Sequence, residues 1–301
     1  MSQLVTVLKG STGLNTKVDP VRLQYDSKAG VAELAEAVNV CIDDTGRIRR
    51  RKGTTATNQT SATHSLFVGD TGGYFVSAGD LYKMNGDFLS TLIKAGVGNT
   101  RMSYAEYAGR LFFANGVTNG AVSGNTASAW QASYVGPETT KNLVPPPVGS
   151  HLAVFNASIL IARDTAVWMT RNFDPYHVDA TRGVFPFSNT VLMVRPVDDG
   201  FYVGTTAAIY FIAQTGPSDY QLQKKANYPP VEWTDVEVDA SLVAKVNQTG
   251  QAGMCVTTQG ICYLGHGGAF ANMTQDKIDL PSTTTGSAVF HDGEYIACLH
   301  P

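Results

Sequence analysis

A strand–turn–strand pattern recurs six times along this chain of 301 residues and limits the folds it can adopt. Each copy ends in a strand rich in aromatic and aliphatic residues, which is typical of buried β-structure. The intervals between successive copies are 36, 47, 44, 60 and 33 residues, measured at Gly73, Gly109, Asn156, Gly200, Gly260 and Gly293. A period near 40 residues is typical of the four-stranded blades of a β-propeller.

We therefore predict an all-β protein whose body, residues 64–301, is an irregular β-propeller of about five or six blades. One blade cannot bury both faces of its sheet, so neighbouring blades must stack around an axis. A pair of β-sandwiches is the alternative, although it would need fewer strands than this sequence contains. The longest interval contains an insertion over residues 228–247, which is a candidate contact arm.

Residues 1–63 form a second predicted unit, an N-terminal docking arm. Residues 1–60 carry nine Lys and Arg against six Asp and Glu, whereas the remaining residues have a net charge of −6. The spacing of Leu34 and Val38 predicts a short amphipathic helix over Val31–Asn39. A hairpin with an Asp-Asp-Thr-Gly turn follows, and its return strand carries the candidate site residues Arg47, Arg49, Arg50, Arg51 and Lys52.

This basic strand has two interpretations that the residues alone leave open. Lys and Arg on an edge strand prevent unwanted pairing with other sheets. Four arginines within five positions also suit bidentate contacts with the carboxylates of an acidic protein surface or with phosphates.

The sequence lacks the usual catalytic signatures, so we predict that the chain is not an enzyme and uses no cofactor or metal. It contains no G-x-S-x-G and no Walker loop, and its six histidines show no metal-ligand spacing. No helix pattern follows Gly265–Gly268, so this glycine-rich stretch is predicted to be a turn. Carboxylates such as Asp235, Glu237 and Asp239 keep an alternative open, a propeller enzyme or a binding module that acts on host-surface glycans.

The four cysteines fit no zinc or redox motif. Cys255 and Cys262 are expected to face each other across a hairpin centred on Thr258 and Gln259. Because no secretory leader is evident, we expect reduced thiols and no stable membrane insertion.

The N-terminal residues resemble a known family. The sequence NVCIDDTGRIRRRKGT from Asn39, preceded by AEAVN and by LNTKVDP, is similar to the N-terminal signature of tail nozzle, or tail tubular B-like, proteins of short-tailed bacteriophages (podoviruses). The stretches SAGDLYKMNG, GRLFFANG, TRNFDP and DDGFYVGTTAAIYFI are also similar to segments of such proteins.

The resemblance implies a structural virion protein of the tail, assembled in the host cytoplasm. Family nozzles are typically homo-hexameric rings below the portal and adaptor proteins, with tail fibre or spike proteins as further partners, and double-stranded DNA passes through the lumen during ejection. On this interpretation the basic strand would be an assembly contact with the ring above.

Overall fold

The computed structural model describes residues 10–26, 30–43, 45–53, 62–86, 89–130, 142–243, 246–274 and 277–300. These residues form 29 short strands and three 3₁₀ turns, with no α-helix among them. In the described part of the chain, no helix is long and apolar enough to span a membrane.

The N-terminal strands form a three-stranded sheet and a separate hairpin. In the sheet the central strand pairs in parallel with the first strand and antiparallel with the second. The strands are β1 (Gly10–Leu14), β2 (Tyr25–Asp26), β3 (Val31–Leu34), β4 (Val40–Ile42) and β5 (Ile48–Arg50).

The predicted helix over Val31–Asn39 is wrong. Its first four residues form β3, and Val38, which should have packed beneath the helix, is 72% exposed. A nine-residue helix is marginal in water and needs tertiary packing to form. Here β1 and β2 flank Val31–Leu34 and satisfy the backbone groups of that segment instead.

Two antiparallel sheets begin the body. The first contains β6 (Thr63–Gly69), β7 (Gly72–Ser77), β8 (Asp80–Met84) and β9 (Ser90–Lys94). The second contains β10 (Ser103–Tyr107), β11 (Arg110–Ala114), β12 (Asn119–Ser123) and β13 (Thr126–Ser128).

The third sheet has six strands because β14 and β19 add to a four-stranded meander. It contains β14 (Leu143–Val144), β15 (His151–Phe155), β16 (Ser158–Arg163), β17 (Ala166–Arg171), β18 (Asp174–Asp179) and β19 (Val184–Pro186).

Two four-stranded sheets and a final hairpin follow. The fourth sheet contains β20 (Val191–Val197), β21 (Gly200–Thr205), β22 (Ile209–Gln214) and β23 (Tyr220–Ala226). The fifth contains β24 (Val236–Asp239), β25 (Gln251–Thr257), β26 (Gly260–Leu264) and β27 (Phe270–Asn272). The hairpin consists of β28 (Thr285–His291) and β29 (Glu294–His300).

These six sheets are the blades of a β-propeller, which confirms the predicted fold class. The first strand of each meander, namely β6, β10, β15, β20, β24 and β28, contributes residues to one axial cavity. Apolar clusters lie between successive blades; Tyr74 and Leu81 of the first blade, for example, pack on Leu111 and Phe113 of the second. Among the described residues, no such cluster joins the sixth blade to the first.

The long 60-residue interval in the sequence repeat has a structural explanation. The other five markers lie at or next to the turn between the first two strands of a blade, but Gly260 lies at the next hairpin, between β25 and β26. In the fifth blade the first turn is replaced by residues 240–250, which include a 3₁₀ turn at Ala240–Leu242. The 228–247 segment is therefore not wholly a projecting arm, because β24 lies within it at the axis.

The N-terminal sheet lies against the segment between the fifth and sixth blades. The Thr16 amide donates to the Lys277 carbonyl at 2.8 Å, and the Asp279 amide donates to Thr16 Oγ1 at 2.9 Å. Lys277 Nζ also lies 3.2 Å from Glu33 Oε1 on β3. The predicted division between residues 63 and 64 falls within β6, which begins at Thr63, and the two predicted parts share these contacts.

Candidate functional site

The basic hairpin is closed by the side chain of Asp43. Its Oδ1 accepts the backbone N–H of Thr45 and of Arg47, each at 3.0 Å. The hydrogen bond from the Thr45 hydroxyl, followed by that from the Arg47 backbone, lowers the pKa of Asp43. Asp43 is thus a turn-forming residue, while Asp44 lies outside the described residues.

The five predicted site residues lie on this hairpin or directly after it, and all five are exposed. Two of them, however, form ion pairs with residues of the same chain. Arg49 Nη2 lies 3.3 Å from Glu294 Oε1, and Lys52 Nζ lies 3.7 Å from Asp292 Oδ2. Arg47, Arg50 and Arg51 have no ion pair with any described residue. The basic cluster therefore divides into a pair that binds the sixth blade and three guanidinium groups that face solvent.

A second group of polar side chains lies in the axial cavity, which has a volume of about 870 Å³. Its wall includes His151 on β15, Arg195 on β20, and Trp233, Asp235 and Glu237 on or just before β24. The propeller brings these residues together although they are up to 86 positions apart, because the inner strands of all blades meet at one axis.

Arg195 and Asp235 form a largely buried ion pair between the fourth and fifth blades. Arg195 Nη2 lies 2.6 Å and Nε lies 3.1 Å from Asp235 Oδ2. Glu237 Oε2 is 4.0 Å from Arg195 Nη1, and the Glu237 side chain is more exposed. Because Arg195 and the Asp235 backbone oxygen also share a 3.2 Å hydrogen bond, this guanidinium is well satisfied.

A stacked group lies next to this ion pair. The rings of His151 and Trp233 are stacked with centroids 4.2 Å apart, and Arg101 Cζ lies 5.3 Å from the Trp233 ring. The Arg101 guanidinium also donates to Ser287 Oγ at 2.7 Å and to the Gly286 carbonyl, so it reaches the sixth blade. Trp233 has a φ of +65°, a left-handed conformation that is costly for a bulky residue and often marks a functional position.

Burial changes the protonation of this group. His151 is only 4% exposed, and desolvation lowers its pKa to about 4, so the imidazole is neutral at pH 7. Desolvation also raises the pKa of Glu232, whose Oε1 lies 3.6 Å from His151 Nε2. Perturbed titratable groups in a cavity are a recognised indication of a functional site.

Sequence reasoning named Asp235 and Glu237 only as possible glycosidase carboxylates and found no role for His151, Arg101 or Arg195. In the structure the Asp235 carboxylate is paired with Arg195, whereas glycoside hydrolysis would require this carboxylate to act on the substrate. The sequence signal that could have located the site is the cluster of acidic and aromatic residues in EWTDVEVD from Glu232, placed where an inner strand begins.

The remaining sequence candidates have structural places in the fifth blade. Gly265–Gly268 lies in the connection from β26 to β27, in agreement with the predicted turn. Cys255 and Cys262 are directly opposite in the β25–β26 register, as predicted, and both are buried free thiols. Within the described residues, no three His, Cys, Asp or Glu side chains are arranged to hold a metal ion.

Comparison with solved structures supports the architecture. No protein-family model and no curated protein matches the chain. The chain is similar to BBS1N, solved in complex with ARL6DN, with a TM-score of 0.52 and 12% identity over 86% of this chain and 84% of that one. It is also similar to virginiamycin B lyase from Staphylococcus aureus, with a TM-score of 0.51 and 12% identity over 92% and 90% of the two chains.

Both of these proteins are β-propellers, and at 12% identity the likeness shows the fold alone. One is named as an enzyme and the other was solved with a protein partner, so the fold is compatible with either kind of activity. The chain is therefore a β-propeller protein, and its function must be argued from its own residues.

Proposed function

We propose that this chain is a structural virion protein, a subunit of the tail nozzle or connector ring of a short-tailed bacteriophage, and not an enzyme. The observation that carries the proposal is the N-terminal signature, which ends in a hairpin with Arg47, Arg50 and Arg51 exposed and unpaired among the described residues. Guanidinium groups without an ion pair among the described residues are suited to carboxylates of a neighbouring protein.

The arrangement of the hairpin supports an assembly role. Arg49 and Lys52 form exposed ion pairs with Glu294 and Asp292 of the sixth blade, and the Ser11 amide donates to the Gly46 carbonyl in the hairpin turn at 2.7 Å. The other three arginines therefore lie on a paired hairpin that contacts both the N-terminal sheet and the sixth blade. Ordering such a surface before binding reduces the entropy lost on association.

In this proposal the conduit for DNA lies between subunits and not through one propeller. The axial cavity of one chain holds about 870 Å³ and contains Arg195, His151 and Trp233. A duplex whose major groove alone is about 12 Å wide cannot pass through it. A homo-hexameric ring would enclose the lumen, and an acidic body of net charge −6 would bind passing phosphates weakly.

The proposed partners are the portal and adaptor proteins on one side and tail fibre or spike proteins on the other, in the tail of the virion. Arg47, Arg50 and Arg51, which have no ion pair in the part of the chain that the structure describes, are the proposed contact with the ring above. From the sequence, all five basic residues were expected to form this contact. Arg49 and Lys52 have ion-pair partners in the same chain, so the proposed contact is restricted to the other three.

The test compares two triple variants in assembled particles. Arg47→Glu/Arg50→Glu/Arg51→Glu is expected to remove the protein from tails while leaving its thermal unfolding unchanged, because none of these side chains has an ion pair within the described chain. A matched control, Arg163→Glu/Arg182→Glu/Lys224→Glu, changes the same number of charges on exposed residues elsewhere.

The readout is the amount of protein in purified particles, together with electron micrographs of particles that carry labelled protein. Normal tails in the hairpin variant would contradict the assembly contact. Absence of the wild-type protein from particles, or its recovery as a monomer that cleaves polysaccharide, would contradict the structural role itself.

A further inference from the structure

The chain contains three Asn-Gly pairs, and the fold places them in different environments. The three pairs are Asn85-Gly86, Asn115-Gly116 and Asn119-Gly120. Asparagine is among the thermally labile residues. A following glycine favours its reaction, because glycine has no side chain to keep its backbone nitrogen away from the amide carbon of the asparagine. Whether a given pair reacts in the folded protein depends on how firmly these two atoms are held apart.

Asn85-Gly86 lies in the connection between β8 and β9 of the first blade, and both residues are exposed. The Asn85 amide nitrogen is 3.5 Å from Thr91 Oγ1, at the outer limit of a hydrogen bond. Among the described residues, the Gly86 N–H has no backbone hydrogen-bond partner. A β-carbon built on Gly86 would meet nothing within 4 Å, so the surroundings leave this backbone room to move.

Asn115-Gly116, between β11 and β12, is held firmly by contrast. Asn115 is only 2% exposed, and its amide nitrogen donates to the Val97 carbonyl at 2.8 Å. Its Oδ1 accepts the Thr118 N–H at 2.8 Å. The Gly116 N–H donates to the Gly149 carbonyl at 2.7 Å. Both groups that would have to react are therefore bound to other partners.

Asn119-Gly120 is protected by the sheet. Asn119 is the first residue of β12, where it pairs with Ala114, and Gly120 is buried and pairs with Phe113. A five-membered ring that includes the Gly120 nitrogen would turn the backbone at Asn119 out of the extended conformation of a strand. This pair can therefore react only after the local pairing of β11 and β12 has opened.

We propose that Asn85 is a site of spontaneous deamidation in the folded protein and that the other two Asn-Gly pairs are protected by the fold. The Gly86 backbone nitrogen, after losing its proton to solvent, attacks Asn85 Cγ. A new C–N bond closes a succinimide ring, the bond from Cγ to the side-chain nitrogen breaks, and ammonia leaves. Water then opens the ring at one of its two carbonyls and leaves aspartate or isoaspartate at position 85.

Either product adds a carboxylate to the exposed connection between β8 and β9. The isoaspartate form also places one more carbon atom in the backbone of this connection. The product therefore differs from the starting protein by one negative charge, so the two forms can be separated by ion exchange. Water is the only co-reactant, and the inference does not depend on the role in a phage tail.

The test is incubation of the full chain at pH 8 for several weeks, followed by peptide mass spectrometry of all three Asn-Gly pairs. Asn85 should react at least about tenfold faster than Asn115 and Asn119, which requires only that local opening at those two sites costs more than about 1.4 kcal/mol. In guanidinium chloride the three rates should become similar, because the sequence Asn-Gly is then all that the sites have in common.

Gly86→Ala tests the mechanism without disturbing the fold, because a methyl group there meets no other atom. It should slow deamidation at Asn85 about tenfold, since the methyl group hinders the attack of the backbone nitrogen. Gly53→Ala is the matched control, an exposed glycine with equally open surroundings that does not follow an asparagine. Similar rates at the three pairs in the folded protein, no reaction at Asn85, or equal effects of the two variants would overturn the proposal.

Discussion

Removal of one partner of the ion pair between Arg195 and Asp235 should strongly lower the free energy of unfolding of the propeller. The two side chains are only 18% and 10% exposed, and they join β20 of the fourth blade to the segment before β24 of the fifth. Asp235→Ala would leave the Arg195 guanidinium largely buried without its carboxylate. Removal of one partner of a buried pair typically costs about 3–5 kcal/mol.

The structure favours the lower end of that range. Arg195 would keep its 3.2 Å hydrogen bond to the backbone oxygen of residue 235, and Glu237 lies 4.0 Å away and can approach. We therefore expect a loss of about 3 kcal/mol in the free energy of unfolding. With about 2–4 °C per kcal/mol for a domain of this size class, the Tm should fall by roughly 6–12 °C.

The assay is urea denaturation followed by circular dichroism, with calorimetry for the Tm. The double variant Asp235→Ala/Arg195→Met removes both charges and should recover most of the loss, because an apolar pair leaves no uncompensated charge. A change below about 1 kcal/mol for Asp235→Ala, in the range of an exposed pair, would refute the reasoning. A double variant no more stable than the single one would refute it as well.

Three further predictions concern single residues. Ala108 adopts a φ of 50° in the turn between β10 and β11, so Ala108→Gly should raise the free energy of unfolding by about 0.5–1 kcal/mol, measured by urea denaturation; a loss would contradict it. Burial raises the pKa of Cys255 well above its usual value, so in the native protein iodoacetamide at pH 8 should modify exposed Cys298 and spare Cys255, as shown by peptide mass spectrometry; equal labelling would contradict this. His151 binds a proton near pH 6.5 when unfolded but only near pH 4 when folded, so the fold should lose up to about 3 kcal/mol as the pH falls through this interval. His151→Gln should show a smaller loss between pH 7 and pH 4.5, and an unchanged slope would contradict the assignment.

The repeat of about 40 residues was sufficient to predict the propeller, because the blade is the unit that packs and its turns leave a signal at Gly109, Asn156 and Gly293. The displaced marker at Gly260 could not be recognised from spacing, since the hairpin between β25 and β26 has the same strand–turn–strand pattern as the first turn of the other blades. The helix at Val31–Asn39 was mispredicted because pairing with β1 and β2, which spacing does not reveal, decides the conformation of that segment.

The candidate sites, too, could be predicted only where their residues are neighbours in the sequence. The exposed arginines could be found from sequence because they are neighbours in the chain, but the bond from Arg49 to Glu294 joins positions 245 apart. The axial group was missed as a group because His151 and Arg195 lie in other blades than Asp235, far from the acidic and aromatic cluster around Asp235 in the sequence. Only the packing of successive blades around one axis makes them neighbours.

The contacts of the N-terminal strands with the last hairpin also set an order for folding. Arg49 and Thr16 must find partners 245 and 263 positions away, so the pairing partners do not yet exist when the first strands leave the ribosome. At about 5–20 residues per second, the early strands would wait roughly 10–50 s for them. Such distant pairings form slowly, and during this interval the unpaired edges of β1–β5 are exposed to other chains. Efficient production of the protein should therefore depend on protecting these first strands until synthesis has passed residue 294.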